Sequence, residues 1–181
     1  SRIIINSLID DVPDIQRVAR NVLLDLKEIF LPYLIQFLTT PSSHIQIAIV
    51  EILESMAYSA KGTPFESALL EALQKALSSE DYYQKIIDQS VLLRLAFILE
   101  NSNKELALKL CVKALLSSES LIFEDQTKLI EILGRLNHPN LFFDLIQKLE
   151  SKNTSYQTRV NILKVLPIFP SQESLKVLLR Y

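Results

Sequence analysis

The sequence predicts an all-α protein built as an array of stacked helix pairs. Glycine is scarce, with two residues in a chain of 181, whereas a sheet-rich chain of this size needs many glycine turns. Apolar residues at helical spacing run through almost the whole chain between short polar stops. One helical pattern also returns at intervals of 30 to 40 residues, the spacing at which helix pairs stack into solenoids.

Eleven helices are predicted, with no linker long enough to divide residues 1–181 into separate domains. They lie near 1–9, 12–28, 30–39, 43–58, 64–78, 81–100, 103–117, 121–136, 139–150, 154–167 and 171–181. Four helix starts carry a capping pattern of Ser or Thr followed three residues later by Glu or Gln. These pairs are Ser43 with Gln46, Thr63 with Glu66, Ser102 with Glu105, and Thr154 with Gln157.

The repeat is clearest in the second helix of each pair. Its pattern is a polar residue, a β-branched residue, leucine, two variable positions, then leucine or methionine. It occurs as "NVLLDL" (21–26), "EILESM" (51–56), "EILGRL" (131–136) and "NILKVL" (161–166). The gap of 80 between the second and third copies is filled by the predicted helices 64–78 and 81–100, as two steps near 40. A helix inside such a stack contacts neighbours on several sides, so we expect Ile52, Leu53, Ile132 and Leu133 to be buried.

Two segments resemble the HEAT repeat family. "LPYLIQFLTTPSSHIQIAIVEILESMA" (31–57) has a leucine-rich first helix, a turn with proline and a second helix of HEAT form. "DVPDIQRVARNVLLDL" (11–26) has the Asp/Pro turn and a basic–Ala pair, with Val12 inserted before the proline. The resemblance implies a right-handed α–α superhelix of about five and a half helix pairs, whose second helices line a concave protein-binding face. A closed helical bundle, in which helices 1–9 and 171–181 pack together, is the alternative architecture.

No group of residues in the sequence predicts an enzyme, a cofactor or a metal site. Cys111 is the only cysteine, so neither an intrachain disulfide nor a cysteine metal cluster can form, and its helix face predicts burial. His44 and His138 flank turns without acidic or histidine partners at ligand spacing. Gly62 and Gly134 stand alone, so there is no glycine-rich phosphate loop.

Charge and hydropathy count against two classes of partner. The net charge is −2, and no basic tract suggests nucleic-acid binding. The uncharged stretch 29–50 is interrupted by Pro32, Gln36 and "TTPSSHIQ", so no run approaches the ~20 apolar residues of a membrane span. The start of the chain lacks the basic and long apolar regions of a signal peptide. We therefore expect a cytoplasmic protein that does not insert into membranes.

Both ends of the sequence suggest that the chain is a segment of a longer protein. "SQESLKVLLRY" begins like a helix capped by Ser171, and no second helix follows to complete the pair. "SRIIINSLID" opens directly on apolar residues, whereas the terminal units of a solenoid need a polar outer face. We expect either more chain or another molecule to cover these ends.

The predicted function is a non-enzymatic scaffold that binds a protein or peptide partner on its concave face. One alternative is a regulatory domain of a larger enzyme or of a membrane-associated protein. Another alternative is a nucleic-acid-binding HEAT-like protein, which requires a basic, aromatic groove. Near-neutral charge and the absence of tryptophan count against this second alternative.

The candidate binding residues come from the side of helix 43–58 that lies opposite its packed positions. Carried through the repeat, this side predicts an apolar centre rimmed by charges, which would hold an amphipathic helix or a short peptide. Ile47, Ile87 and Val91 form the centre, Glu51, Glu54, Arg94 and Glu131 form the rim, and Arg17 belongs to an outer unit. The alternative is that a loop, or the wide packing of helix 81–100, buries the apolar members.

Overall fold

The computed structural model describes residues 2–117, 119–169 and 172–180, and every regular element in these segments is helical. The prediction of an all-α fold is therefore confirmed. Within the described segments the α-helices are α1 (Arg2–Asn6), α2 (Pro13–Asp25), α3 (Lys27–Phe37), α4 (Ser43–Ala60), α5 (Pro64–Leu77), α6 (Glu80–Gln84), α7 (Gln89–Leu99), α8 (Lys104–Leu115), α9 (Phe123–Leu136), α10 (Leu141–Glu150), α11 (Tyr156–Val165) and α12 (Gln172–Arg180). Two 3-10 turns, Ser7–Ile9 and Leu166–Ile168, follow α1 and α11.

Five helices pack one after another through the molecule. These repeat helices are α2, α4, α7, α9 and α11, and each contacts the next. They are the helices that carry, or fill the gap in, the repeated sequence pattern. Between them, α3 packs against α4, α8 against both α7 and α9, and α10 against α11. Helix α1 packs chiefly against the turn Ser7–Ile9 and also against α2 and α4, and α12 packs against the turn Leu166–Ile168.

The wide apolar surface of α4 follows from its position among the repeat helices. Helix α4 contacts α2 on one side and α7 on the other, and it also packs against α3 and α5. Its side chains Ile49, Ile52, Leu53 and Met56 have no exposed surface. Ile132 and Leu133 of α9 are also buried, so the predicted burial of the four repeat residues is confirmed.

The predicted helix 81–100 is wrong, because the chain breaks between α6 and α7. Asp88 ends the break by accepting hydrogen bonds from the first amides of α7, at 2.9 Å from the nitrogen of Ser90. The Ser43 hydroxyl donates to the other Asp88 carboxylate oxygen at 2.5 Å. The buried Gln46 amide donates to the carbonyl of Lys85 at 3.1 Å. Since both contacts come from the start of α4, this neighbouring repeat helix fixes where the break lies.

The predicted helix starts are close to the true ones, but the capping residues differ. The side chains that accept from the first turn are Ser42 for α4, Asn103 for α8 and Ser155 for α11. Each lies one residue from the predicted cap. The hydroxyls of Ser102 and Thr154 instead donate back to carbonyls of the preceding helix. At α5, Glu66 accepts from the Gly62 amide at 2.7 Å rather than from Thr63.

Buried amide side chains hold the connection between α8 and α9 from two directions. Gln89 of α7 donates to the carbonyls of Ala114 at 3.0 Å and Glu119 at 3.2 Å. Asn161 of α11 donates to the same Glu119 carbonyl at 2.9 Å and accepts from the Leu121 amide at 3.4 Å. Buried polar groups need hydrogen-bond partners. By supplying them, Gln89 and Asn161 hold the α8–α9 connection between α7 and α11.

Candidate partner-binding surface

Alternating charges run across four repeat helices and form what we call the charged row: Arg20, Glu51, Arg94, Glu54 and Lys128. Arg20 of α2 pairs with Glu51 of α4 at 3.0 Å, and Arg94 of α7 lies 3.9 Å from another oxygen of Glu51. Arg94 also donates to Glu54, whose second oxygen lies 2.9 Å from Lys128 of α9. The charged row therefore joins α2, α4, α7 and α9, with Glu54 of α4 bridging α7 and α9.

The charged row contains three cations and two carboxylates, so its ion pairs leave a formal charge of only +1. All five side chains are partly exposed, and a pair in that setting contributes about 0.2–1 kcal/mol. The charged row therefore produces little net electrostatic field. What it offers a partner is a set of charged groups held in fixed positions. Nearby, burial raises the pKa of Asp125 in the first turn of α9, and Asp88 and Glu124 raise it further.

An exposed aromatic ring borders the charged row. Phe97 lies one turn after Arg94 on α7 and is 44% exposed. The Lys128 ammonium lies 5.4 Å from the centre of the ring and the Arg135 guanidinium 5.8 Å from it. Arg135 is itself held by the buried Glu100 carboxylate at 3.0 Å. The ring is thus flanked by two cations whose charges are paired elsewhere.

A cleft of about 680 Å³ opens beside the charged row, between α5 and the last turns of α4 and α7. Its apolar lining comes from all three helices. It consists of Ala57 and Tyr58 from α4, Leu69 and Leu70 from α5, and Phe97 and Ile98 from α7. The charged members of its lining are Glu54, Lys61, Glu66 and Glu100. Tyr58 is 88% exposed, and a contiguous apolar hollow with exposed aromatics is typical of interaction sites.

Three predicted site residues, Glu51, Glu54 and Arg94, come together in the charged row. Glu54 and Arg94 are forty residues apart, and the alignment of the repeat places them at equivalent positions. Glu131 is exposed and lies 3.9 Å from Arg135, at the edge of the same region. Arg17 is exposed on α2 and pairs with Asp14 at 2.9 Å, outside the charged row.

The predicted apolar centre does not form. Val91 has no exposed surface and belongs to the core, because α7 packs against α4, α8 and α9 around it. Ile87 is 59% exposed, but it lies in the break before α7 and lines a separate groove with Tyr83 and Lys113. Ile47 is half-buried in a hollow beside Arg20. Val91 is thus buried by helix packing, which is the alternative considered from the sequence. Ile87 lines a different groove because the chain breaks between α6 and α7.

Most of the cleft lining and two members of the charged row were not predicted from the sequence, and a sequence signal exists for four of these missed residues. Tyr58 and Phe97 lie one helical turn after the predicted Glu54 and Arg94, and Lys128 lies one turn before the predicted Glu131. Arg20 lies one turn after Arg17. Extending each predicted position by one turn along its own helix would therefore have found all four.

Among the helices of the described segments, none is long and apolar enough to cross a bilayer. The described side chains also contain no group of three or more His, Cys, Asp or Glu placed to hold a metal ion. His44 and His138 are both exposed.

Comparison with known proteins does not assign this surface. No protein-family model matches the chain, and searches of curated proteins and of solved structures found no significant match.

Proposed function

We propose that the chain is a non-enzymatic protein-interaction scaffold of the cytoplasm, built as a right-handed HEAT-type array of helix pairs. Its repeat helices would present the charged row and the adjoining cleft to a peptide or helix of a partner protein. The observation that carries this proposal is the apolar cleft with two exposed aromatic rings, set directly beside charges held in fixed positions. Aromatic side chains at such positions dominate the binding energy of protein interfaces.

The accessible surface supports an extended array over a closed bundle. A compact monomer of 20.7 kDa is expected to expose about 8,900 Å². The accessible surface here is 10352 Å². The additional surface fits helices that pack in sequence, since each unit then contacts only its neighbours. An extended array offers a partner a longer continuous face than a bundle of the same mass.

The charged row fits a role in orientation. Its charges are paired within the protein, so a partner gains little from long-range attraction, whereas alternating charges fix the register of a segment laid across them. The compensated charges also disfavour nucleic acid, whose binding relies on uncompensated cations.

Affinity capture with matched variants tests the proposal. The protein and the double variant Tyr58→Asp/Phe97→Asp are used as baits in lysate of the source organism, and captured proteins are identified by mass spectrometry. The control, Phe123→Asp/Tyr156→Asp, changes the same two residue types at sites that are 84% and 82% exposed outside the surface. We expect partners that the control retains and the surface variant loses, with unchanged circular dichroism.

Two results would overturn the proposal. One is a set of partners that both double variants retain, and the other is the absence of any captured protein. If the double variant loses helicity, the single variant Tyr58→Asp replaces it, because a side chain that is 88% exposed contributes little to folding.

A further inference from the structure

We infer that the cleft binds a segment whose apolar residues are accompanied by lysine or arginine, an inference that rests on the proposed function and specifies its partner. The cleft combines an apolar floor with a negatively charged lining. Its floor is formed by Leu69, Leu70 and Ile98, and its lining carries three carboxylates against a single lysine. Apolar residues of a partner would fill the floor while a basic residue reaches the carboxylates.

Two of these carboxylates have acceptor capacity for a basic group. Arg135 donates to Oε2 of Glu100, and the Gly62 amide donates to Oε2 of Glu66. Each carboxylate thus has a second oxygen that can accept from a partner. Glu54 is different, because Arg94 and Lys128 bind its two oxygens separately. Glu54 therefore belongs to the charged row. The half-buried Glu66 is the group that would hold the incoming cation, because the Glu100 side chain is only 9% exposed and already pairs with Arg135.

Two of the helix ends around the cleft, those of α4 and α7, favour the same sign of charge, whereas the first turn of α5, which carries Glu66, is the opposite end of a helix. Helix α4 ends at Ala60 and α7 ends at Leu99, and the last turns of both helices line the cleft. The C-terminal end of a helix carries a partial negative charge that stabilises a nearby cation. Both ends therefore add to the effect of the carboxylates.

The exposed rings supply a surface on which a cation can lie. Phe97 already has two cationic side chains within 6 Å of its ring centre, and both are paired with carboxylates. Tyr58, whose ring is largely exposed, lines the same cleft. A lysine or arginine beside an apolar anchor would gain a cation–π contact there, in addition to its hydrogen bonds to the carboxylates.

The test uses a pair of fluorescent amphipathic peptides of about 15 residues with identical leucines at helical spacing. One carries lysine at its polar positions and the other carries glutamate. We expect the lysine peptide to bind about tenfold more tightly in fluorescence polarisation, a difference of about 1.4 kcal/mol, because its ammonium groups can form charge-assisted hydrogen bonds to the carboxylates. A scrambled lysine peptide controls for non-specific adhesion.

Variants assign the binding to the cleft. Glu66→Gln keeps an acceptor for the Gly62 amide but removes the charge, and Tyr58→Ser removes the exposed ring. Both substitutions are expected to weaken binding of the lysine peptide several-fold. Glu71→Gln, an exposed position of α5 outside the cleft lining, should leave binding unchanged.

The inference fails if the two peptides bind equally, if the glutamate peptide binds better, if neither binds, or if Glu66→Gln and Tyr58→Ser have no effect. These failures can be told apart from failure of the proposed function. Loss of captured partners from the Tyr58→Asp/Phe97→Asp variant would still place a partner at this surface, while the peptide pair alone decides the charge of the segment that it holds.

Discussion

Cys111 is the only thiol of the chain, and it lies on α8 with no exposed surface. Burial, together with a smaller contribution from the Glu100 carboxylate, raises the pKa of this thiol to about 12. Because the thiolate is the reactive species, both access and ionisation protect Cys111 in the folded protein.

We expect Cys111 to be inert toward the thiol reagent DTNB in native buffer and to react fully in denaturant. The measurement is the absorbance released on reaction, at neutral pH, with and without guanidinium chloride. Cys111→Ala is the control that sets the background of the assay. A native protein that reacts as fast as the unfolded one would contradict the burial of the α8 core position.

Among individual residues, the sequence predicts three of the five members of the charged row. Glu51, Glu54 and Arg94 follow from helical periodicity and the repeat, because equivalent positions of stacked helices lie beside each other. Their partners Arg20 and Lys128 lie one turn from predicted positions, but which of several such neighbours forms the ion pair depends on how each helix is rotated against the next. That rotation is set by tertiary packing, and one sequence contains no direct measure of it.

At the scale of elements, the connection between α8 and α9 depends on Asn161. Asn161→Ala would leave the Glu119 carbonyl with fewer partners and the buried Leu121 amide without its acceptor. An unsatisfied buried group costs about 1–3 kcal/mol. We therefore expect the free energy of unfolding to fall by about 2–3 kcal/mol, measured by urea denaturation followed by circular dichroism.

Asn153→Ala is the matched control, because Asn153 is exposed and is expected to change stability by less than about 0.5 kcal/mol. Hydrogen exchange adds a local measurement, since the Leu121 amide should lose protection in the Asn161 variant. Equal stability of the two variants would show that the α8–α9 connection does not need the Asn161 side chain.

Most helices follow from the sequence, and the break between α6 and α7 shows where that prediction ends. Ile86 and Ile87 continue the apolar pattern of their neighbours, so periodicity alone predicts a single helix. The break is imposed from α4, by the contacts of Ser43 with Asp88 and of Gln46 with Lys85. Such contacts join residues that are about forty positions apart in sequence and leave no local signal except the capping preference of aspartate.

At the scale of the whole molecule, an array and a closed bundle differ in overall size. A compact chain of 181 residues has an expected radius of gyration of about 16 Å. For helices that pack in sequence from α2 to α11, we expect a clearly larger radius of gyration. Small-angle X-ray scattering on the monomer, with its mass confirmed by light scattering, measures it.

The control is a compact globular protein of similar mass measured in the same buffer. A radius of gyration equal to that of the control would contradict the array and favour a closed bundle. The distribution of interatomic distances gives a second criterion, because an elongated molecule has a long tail that a bundle lacks.

The bonds that Gln89 and Asn161 make at the α8–α9 connection go to main-chain groups. A carbonyl or an amide is the same whatever side chain its residue carries, so exposed positions such as Glu119 and Ser120 can change without loss of these bonds. One unit of the molecule can therefore diverge in sequence over evolutionary time while its neighbours keep their places. Because these hydrogen bonds do not depend on side-chain identity, exposed positions of the α8–α9 connection are also suitable for designed substitutions, such as a residue that carries a spectroscopic label. Such substitutions would leave the core unaltered.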